Sequence, residues 1–136
     1  MKKLLPISAL SLLVTFAATA LAADEYDVST ASPPQAKAKE RSVAKVSVRP
    51  KAGYHVNVDY PTKLTVKTPD GVTVEKTVQT GKDAARLEKD GIEFEVAFVS
   101  DGTGTKSFSG TLAFATCTDT NCKPARESVA FDVDVK

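Results

Sequence analysis

The sequence predicts an all-β domain made of short strands joined by tight turns. Three observations carry this expectation. From Val43 to the C-terminus, apolar residues recur at every second position in one run after another, the period of a strand with one buried face. The runs are separated by segments rich in Gly, Pro, Asp and Ser, the residues that supply turn geometry. No stretch carries an apolar stripe at helical spacing long enough to pack as a helix.

The N-terminus has a different character. Lys2 and Lys3 precede an apolar run from Leu4 to Leu21, and Ala20-Leu21-Ala22 has the small-x-small form of a signal-peptidase site. Residues 1–22 are therefore expected to be a signal peptide cleaved after Ala22. An uncleaved membrane anchor is the alternative, and the alanine-rich end of the run argues against it. No cysteine follows the predicted cut, so a lipoprotein is not indicated. No later segment is long or apolar enough to span a bilayer, which predicts no stable membrane insertion after cleavage. The expected location is periplasmic or secreted, a compartment where cysteines can pair.

Removing Lys2 and Lys3 from the 18 basic residues leaves 16 against 17 acidic ones. A nearly neutral chain offers no electrostatic case for nucleic acid or for an anionic membrane. The remaining length suits one domain rather than two.

Residues 23–42 are rich in Ser, Pro, Ala, Lys and Glu, and Pro33-Pro34 blocks a regular helix. Composition predicts a flexible leader here. The domain proper is then 43–136. Its first strand sets Ala44, Val46 and Val48 against Lys45, Ser47 and Arg49 and ends at Pro50. Residues 51–61 read as a loop with a short extended piece. Leu64 and Val66 alternate with Lys63, Thr65 and Lys67 in a second strand. Pro69-Asp70-Gly71 is a tight-turn signature, and Val72, Val74 and Val78 then mark a third strand expected to form a hairpin with the second.

Residues 83–90 read either as a helical turn, from Ala84, Ala85 and Leu87, or as an irregular edge strand. Ile92, Phe94, Val96 and Phe98 share one face opposite Glu93 and Glu95. A turn over 100–105 leads to a long strand with Phe108, Leu112 and Phe114 on one face. The last run places Val129, Phe131, Val133 and Val135 inward and Asp132 and Asp134 outward. The economical arrangement is an immunoglobulin-like antiparallel β-sandwich of about seven strands, with a small barrel as the other solution.

The only cysteines, Cys117 and Cys122, lie between the last two strands. An offset of five across a reversing loop can bring two Cα atoms into disulfide range. Closing so small a loop stabilises a fold by only about 2 kcal/mol on the chain-entropy model. Cys117 has the parity of Ala113 and Ala115, opposite to Phe114, so alternation points it away from the core. The bridge therefore differs from the disulfide that spans an immunoglobulin core beside a tryptophan, and this chain has no Trp.

There is no Cys-x-x-Cys motif, which excludes a thioredoxin-type active site. Lys123 would favour a Cys122 thiolate and Asp119 would oppose it. Spacing leaves two functions open: a non-catalytic binding or structural domain with a hairpin-stapling disulfide, or a redox pair.

The other candidates are weaker. His55 is the only histidine, and the expectation is a histidine packed or hydrogen-bonded in its loop. A metal site would need His55 with both cysteines, which a disulfide forbids. The pairs Glu93/Glu95 and Asp132/Asp134 read as solvated strand faces. The glycines form no phosphate-binding pattern. No cofactor is expected.

Lys51-Ala52-Gly53-Tyr54-His55-Val56-Asn57, Tyr60-Pro61 and then Phe114-x-x-Cys117-x4-Cys122-x-Pro124 before a valine-rich strand together resemble the N-terminal periplasmic domain of the thiol:disulfide interchange protein DsbD, over residues 43–136. The resemblance implies an immunoglobulin-like fold and thiol–disulfide exchange with exported thioredoxin-like or other disulfide-exchange proteins. It implies Cys117 and Cys122 as the redox (catalytic) pair, and a detached exchange module without the family's membrane and thioredoxin-like domains. Lys123 makes Cys122 the sulfur expected to be attacked, with Cys117 resolving the mixed disulfide.

Overall fold

The computed structural model describes residues 25–136, so the predicted signal peptide and its cleavage site lie outside the described residues. The described chain is an all-β, immunoglobulin-like sandwich of two antiparallel sheets. In chain order the strands are β1 (Tyr26–Ala31), β2 (Arg41–Pro50), β3 (His55–Val56), β4 (Lys63–Lys67), β5 (Val72–Val74), β6 (Val78–Thr80), β7 (Arg86–Glu88), β8 (Gly91–Ser100), β9 (Gly104–Cys117) and β10 (Cys122–Val135). One sheet runs β1-β2-β8-β5 with β7 also on β8; the other runs β10-β9-β4-β6 with β3 also on β9. No helix among the described residues is long and apolar enough to cross a membrane.

The alternation legible in the sequence becomes the core. In β2, Ala44, Val46 and Val48 are fully buried, and in β8 so are Phe94 and Val96. From the facing sheet come Leu64, Phe108, Leu112 and Phe114. Aromatic rings take the place that a tryptophan and an intersheet disulfide hold in antibody domains. Phe108 stacks on Phe131 with centroids 4.9 Å apart and meets Phe98 at 4.9 Å. Gly110 belongs to the same logic, because a Cβ there would come within 2.3 Å of the Thr65 carbonyl oxygen on β4.

Three expectations are corrected. The first concerns residues 23–42, expected to be a flexible leader. Its described part is folded: β1 pairs with β2 from Tyr26↔Pro50 to Ala31↔Lys45. Composition misses this because the segment meets the core through two isolated side chains that contact distant parts of the chain. The Tyr26 ring packs edge-on against Phe114 at 4.8 Å, and Ala36 is buried beside Val135 in a parallel bridge. The Tyr26 hydroxyl donates to the Glu127 carboxylate. Burial first, and then that bond and the nearby carboxylate charges, push the phenol well above its ordinary range.

The second correction concerns the hairpin expected around Pro69-Asp70-Gly71. The turn is present, with Val72 N–H donating to Pro69 C=O and Gly71 at φ 71°. It carries the chain across the sandwich instead of back along β4. β5 pairs with β8 in the other sheet, and β6 is what returns to β4. Alternation marks a buried face but does not say which sheet supplies it. Third, the run expected to continue to Val78 breaks, leaving Val78 exposed and Gln79 buried, with the Gln79 amide donating to Glu95 C=O at 2.8 Å. Of the two readings of 83–90, the edge strand is the one observed, as β7 after a 3₁₀ turn over Gly81–Asp83.

If β1 is part of the folded unit, Tyr26→Ala should cost about 3 kcal/mol in urea unfolding. Tyr26→Phe keeps the ring contact and should cost only about 1 kcal/mol. A loose leader would make both substitutions silent.

Candidate functional site at the β9–β10 hairpin

β9 and β10 pair without interruption from Gly104↔Val135 to Cys117↔Cys122. The turn that joins them is closed by backbone and hydroxyl together. Thr118 N–H donates to Asn121 C=O at 2.7 Å, and the Thr118 hydroxyl accepts from Asn121 N–H at 3.2 Å. Because Thr118 and Asn121 are a hydrogen-bonded pair, the next pair along an antiparallel ladder is a non-hydrogen-bonded one, with its side chains close together. That pair is Cys117 and Cys122. Their Cα atoms are 4.0 Å apart, and they form a disulfide. The expected pairing of the two cysteines is thus observed, as a bridge between direct cross-strand neighbours.

The two halves of the bond have different surroundings. Cys117 lies between β10 on one side and β3 on the other. It is 4 % exposed yet absent from the core cluster that contains Phe114. Alternation therefore predicts its face correctly, but not its burial. Cys122 begins an edge strand and is exposed. A reagent arriving from solvent meets Cys122 first.

His55 is placed where the sequence did not lead us to expect it. β3 is only two residues long, and its register sets His55 directly opposite Cys117. Directly paired residues project to the same face of a sheet. His55, Cys117 and Cys122 therefore stand abreast on the outward face, contributed by three adjacent strands. The only long-range signal for this in the sequence was the order of the Gly53-Tyr54-His55 element and the cysteine hairpin.

Lys123 does not take the role its sequence position suggested. Alternation turns it to the opposite face of the ribbon from the disulfide, and there its ammonium pairs with Glu25 at 3.2 Å. The other Glu25 oxygen accepts from the Thr116 hydroxyl at 3.1 Å. Glu25, Thr116 and Lys123 thus tie the start of the first sheet to the hairpin of the second. They line a cavity of about 120 Å³ with Tyr54, Thr118 and Asn121. Asp119, the expected opponent of a thiolate, is exposed at the turn. No cluster of three or more His, Cys, Asp or Glu suited to a metal ion occurs among the described residues.

No family model and no curated protein sequence matches the chain. Among solved structures it is similar to AggA, the major subunit of aggregative adherence fimbriae type I from Escherichia coli, at 10% identity over 83% of this chain and 97% of that one, with a TM-score of 0.41. It is also similar to PapD-like domain 7 of human CEP192, at 10% identity over 96% of each chain, with a TM-score of 0.37.

The asymmetry of the bond has a direct readout. After reduction, Cys122 should react with iodoacetamide at least about tenfold faster than Cys117, resolved by mass spectrometry of the native protein, because reactivity follows access as well as thiolate character. Equal rates would contradict the burial difference.

Proposed function

We propose that this chain is an exported thiol–disulfide exchange module, a protein-disulfide reductase or interchange component working through Cys117 and Cys122. The observation that carries the reading is the unequal exposure of the two sulfurs' residues in one cross-strand bond. A bond needed only to hold the hairpin would gain nothing from it, and the uninterrupted ladder and the Thr118 bonds already close that hairpin. The resemblance to the N-terminal periplasmic domain of DsbD supports the same chemistry, as does the small stabilisation expected from so short a loop.

The exchange runs as follows. A partner thiolate attacks Sγ of Cys122, the S–S bond breaks, and its electron pair leaves on Sγ of Cys117. The product is a mixed disulfide between Cys122 and the partner. A second partner thiol then displaces Cys122. The pair has gained two electrons and two protons, and the partner's dithiol has become a disulfide. In the reverse direction Cys117 attacks Cys122 in the mixed disulfide and resolves it. Exposure, in place of Lys123, is what supports Cys122 as the attacked sulfur.

His55 adds an acid–base group to this scheme. An imidazole beside Cys117 can protonate or hold the departing thiolate and take the proton back when Cys117 attacks. Its place on β3 keeps it on the leaving-group side of the bond, away from the incoming thiol.

Four experiments bear on these assignments. The reduction potential should lie above about −300 mV, the region below which structural disulfides fall; a lower value overturns the exchange reading in favour of a stapled, non-catalytic sandwich. Cys117→Ser should trap mixed disulfides from an exported fraction while Cys122→Ser traps none, and the opposite pattern reverses the roles. For His55, the His55→Phe variant should be reduced by dithiothreitol about tenfold more slowly. In a Cys122→Ser background the same change should move the ultraviolet thiolate titration of Cys117 to higher pH. An unchanged titration would remove His55 from the mechanism.

A further inference from the structure

The direction from which a thiol must approach is set by the cross-strand bond itself. Displacement at sulfur brings the nucleophile in opposite the leaving sulfur. Cys117 lies on the β9 side of Cys122. The attacking sulfur therefore enters from the other side, beyond the outer edge of β10, where no further strand lies among the described residues.

That edge has a readable hydrogen-bonding pattern. Cys122 forms a non-hydrogen-bonded pair with Cys117, so its own N–H and C=O point outward. Every second residue of β10 shares that orientation. Four hydrogen bonds agree with this. Asn57 N–H donates to Ala115 C=O at 2.9 Å, so Ala115 directs its carbonyl to the β3 side and its cross-strand partner Pro124 has an outward nitrogen. Proline, which has no N–H, is tolerated in a ladder only at such a position. At the far end Lys136 N–H donates outward to Ala36 C=O, and Lys136 C=O accepts from Ala38 N–H, both at 2.9 Å. Between them the Ser32 hydroxyl donates to Asp132 C=O at 2.6 Å.

The chain thus already lays its own segment 32–38 along the C-terminal part of this edge. The outward groups at Cys122, Pro124, Arg126 and Ser128 have no strand partner among the described residues. Beside them a cavity of about 250 Å³ opens between the start of β1 and residues 123–127, lined by Glu25 and Tyr26.

We propose that the redox partner docks by adding an extended, cysteine-bearing segment to the edge of β10 at Cys122. This rests on the exchange reading above. The partner's cysteine pairs laterally with Cys122, its N–H and C=O meet the outward C=O and N–H of Cys122, and its thiolate arrives on the side opposite Cys117. Main-chain bonds hold the segment, as in other strand-addition interfaces. The lone carbonyl of Pro124 shortens the ladder and keeps the contact transient. Arg126 is exposed and on the same face as Cys122, and it favours an acidic residue in the segment at the fourth position from the cysteine.

The test compares the rate of mixed-disulfide formation by a short Val/Thr-rich peptide bearing one cysteine with that of the same peptide methylated on the cysteine nitrogen. Each rate is taken relative to reduction by dithiothreitol. The methylated peptide should react about fivefold more slowly, the loss of one ladder hydrogen bond. On the protein side, Arg126→Pro removes an outward N–H without touching the β9 ladder, and Arg126→Ala removes only the charge. Arg126→Pro should slow the unmethylated peptide about fivefold relative to Arg126→Ala, with the dithiothreitol rate the same in both. Equal rates for the two peptides, with dithiothreitol still active, overturn edge docking and leave the exchange reading intact. Failure of the bond to exchange with dithiothreitol at all overturns both.

Discussion

The pairing of β9 with β10 is the constraint on which the rest of the site depends. Its register runs unbroken over fourteen residues of each strand, and side chains in a ladder alternate strictly between faces. One slip would exchange the faces of Cys117 and Thr116, separate the cysteines, and turn Phe108, Leu112 and Phe114 out of the core. The buried aromatics therefore hold the register, and the register holds the disulfide. The chemistry at one end of the hairpin is positioned by hydrophobic packing along its whole length.

Alternation also explains why neighbouring residues in the sequence serve different ends. Cys122 and Lys123 are adjacent, yet one belongs to the outward face and the other reaches Glu25 on the opposite face. Thr116 and Cys117 divide in the same way. The Glu25–Lys123 pair is largely exposed on the lysine side, where ion pairs contribute little to stability. Its structural effect is to fix where the first strand begins relative to the hairpin. Together with Tyr26 on Phe114, it joins the two edge strands and frames the groove beside Cys122.

Much of the fold was legible because burial of one sheet face writes itself directly into period-two patterns. β2, β4, β8, β9 and the valine-rich end of β10 appear in the sequence where they occur in the structure. β1 was missed because Tyr26 and Val28 are its only large apolar side chains, and its place depends on Phe114 and Glu127, about ninety to one hundred residues away in sequence. β5 was assigned to the wrong neighbour because Pro69-Asp70-Gly71 specifies a reversal but not a destination. His55 looked like an ordinary loop histidine because nothing near it in sequence reveals that two residues of β3 will pair with the end of β9.

Local patterns along the chain are enough to specify the class of this protein: an antiparallel sandwich, two cysteines close enough to bond, and an outward parity for Cys117. These follow from local chemistry, since alternation, turn residues and short spacing act over a few positions. Which cysteine is buried, which charge is occupied elsewhere and which part of the β10 edge is open follow from the assembled fold. Each of those depends on strands brought together from distant parts of the chain. β3 and β10 flank Cys117, Glu25 occupies Lys123, and segment 32–38 closes one end of β10, while the end at Cys122 has no strand partner among the described residues.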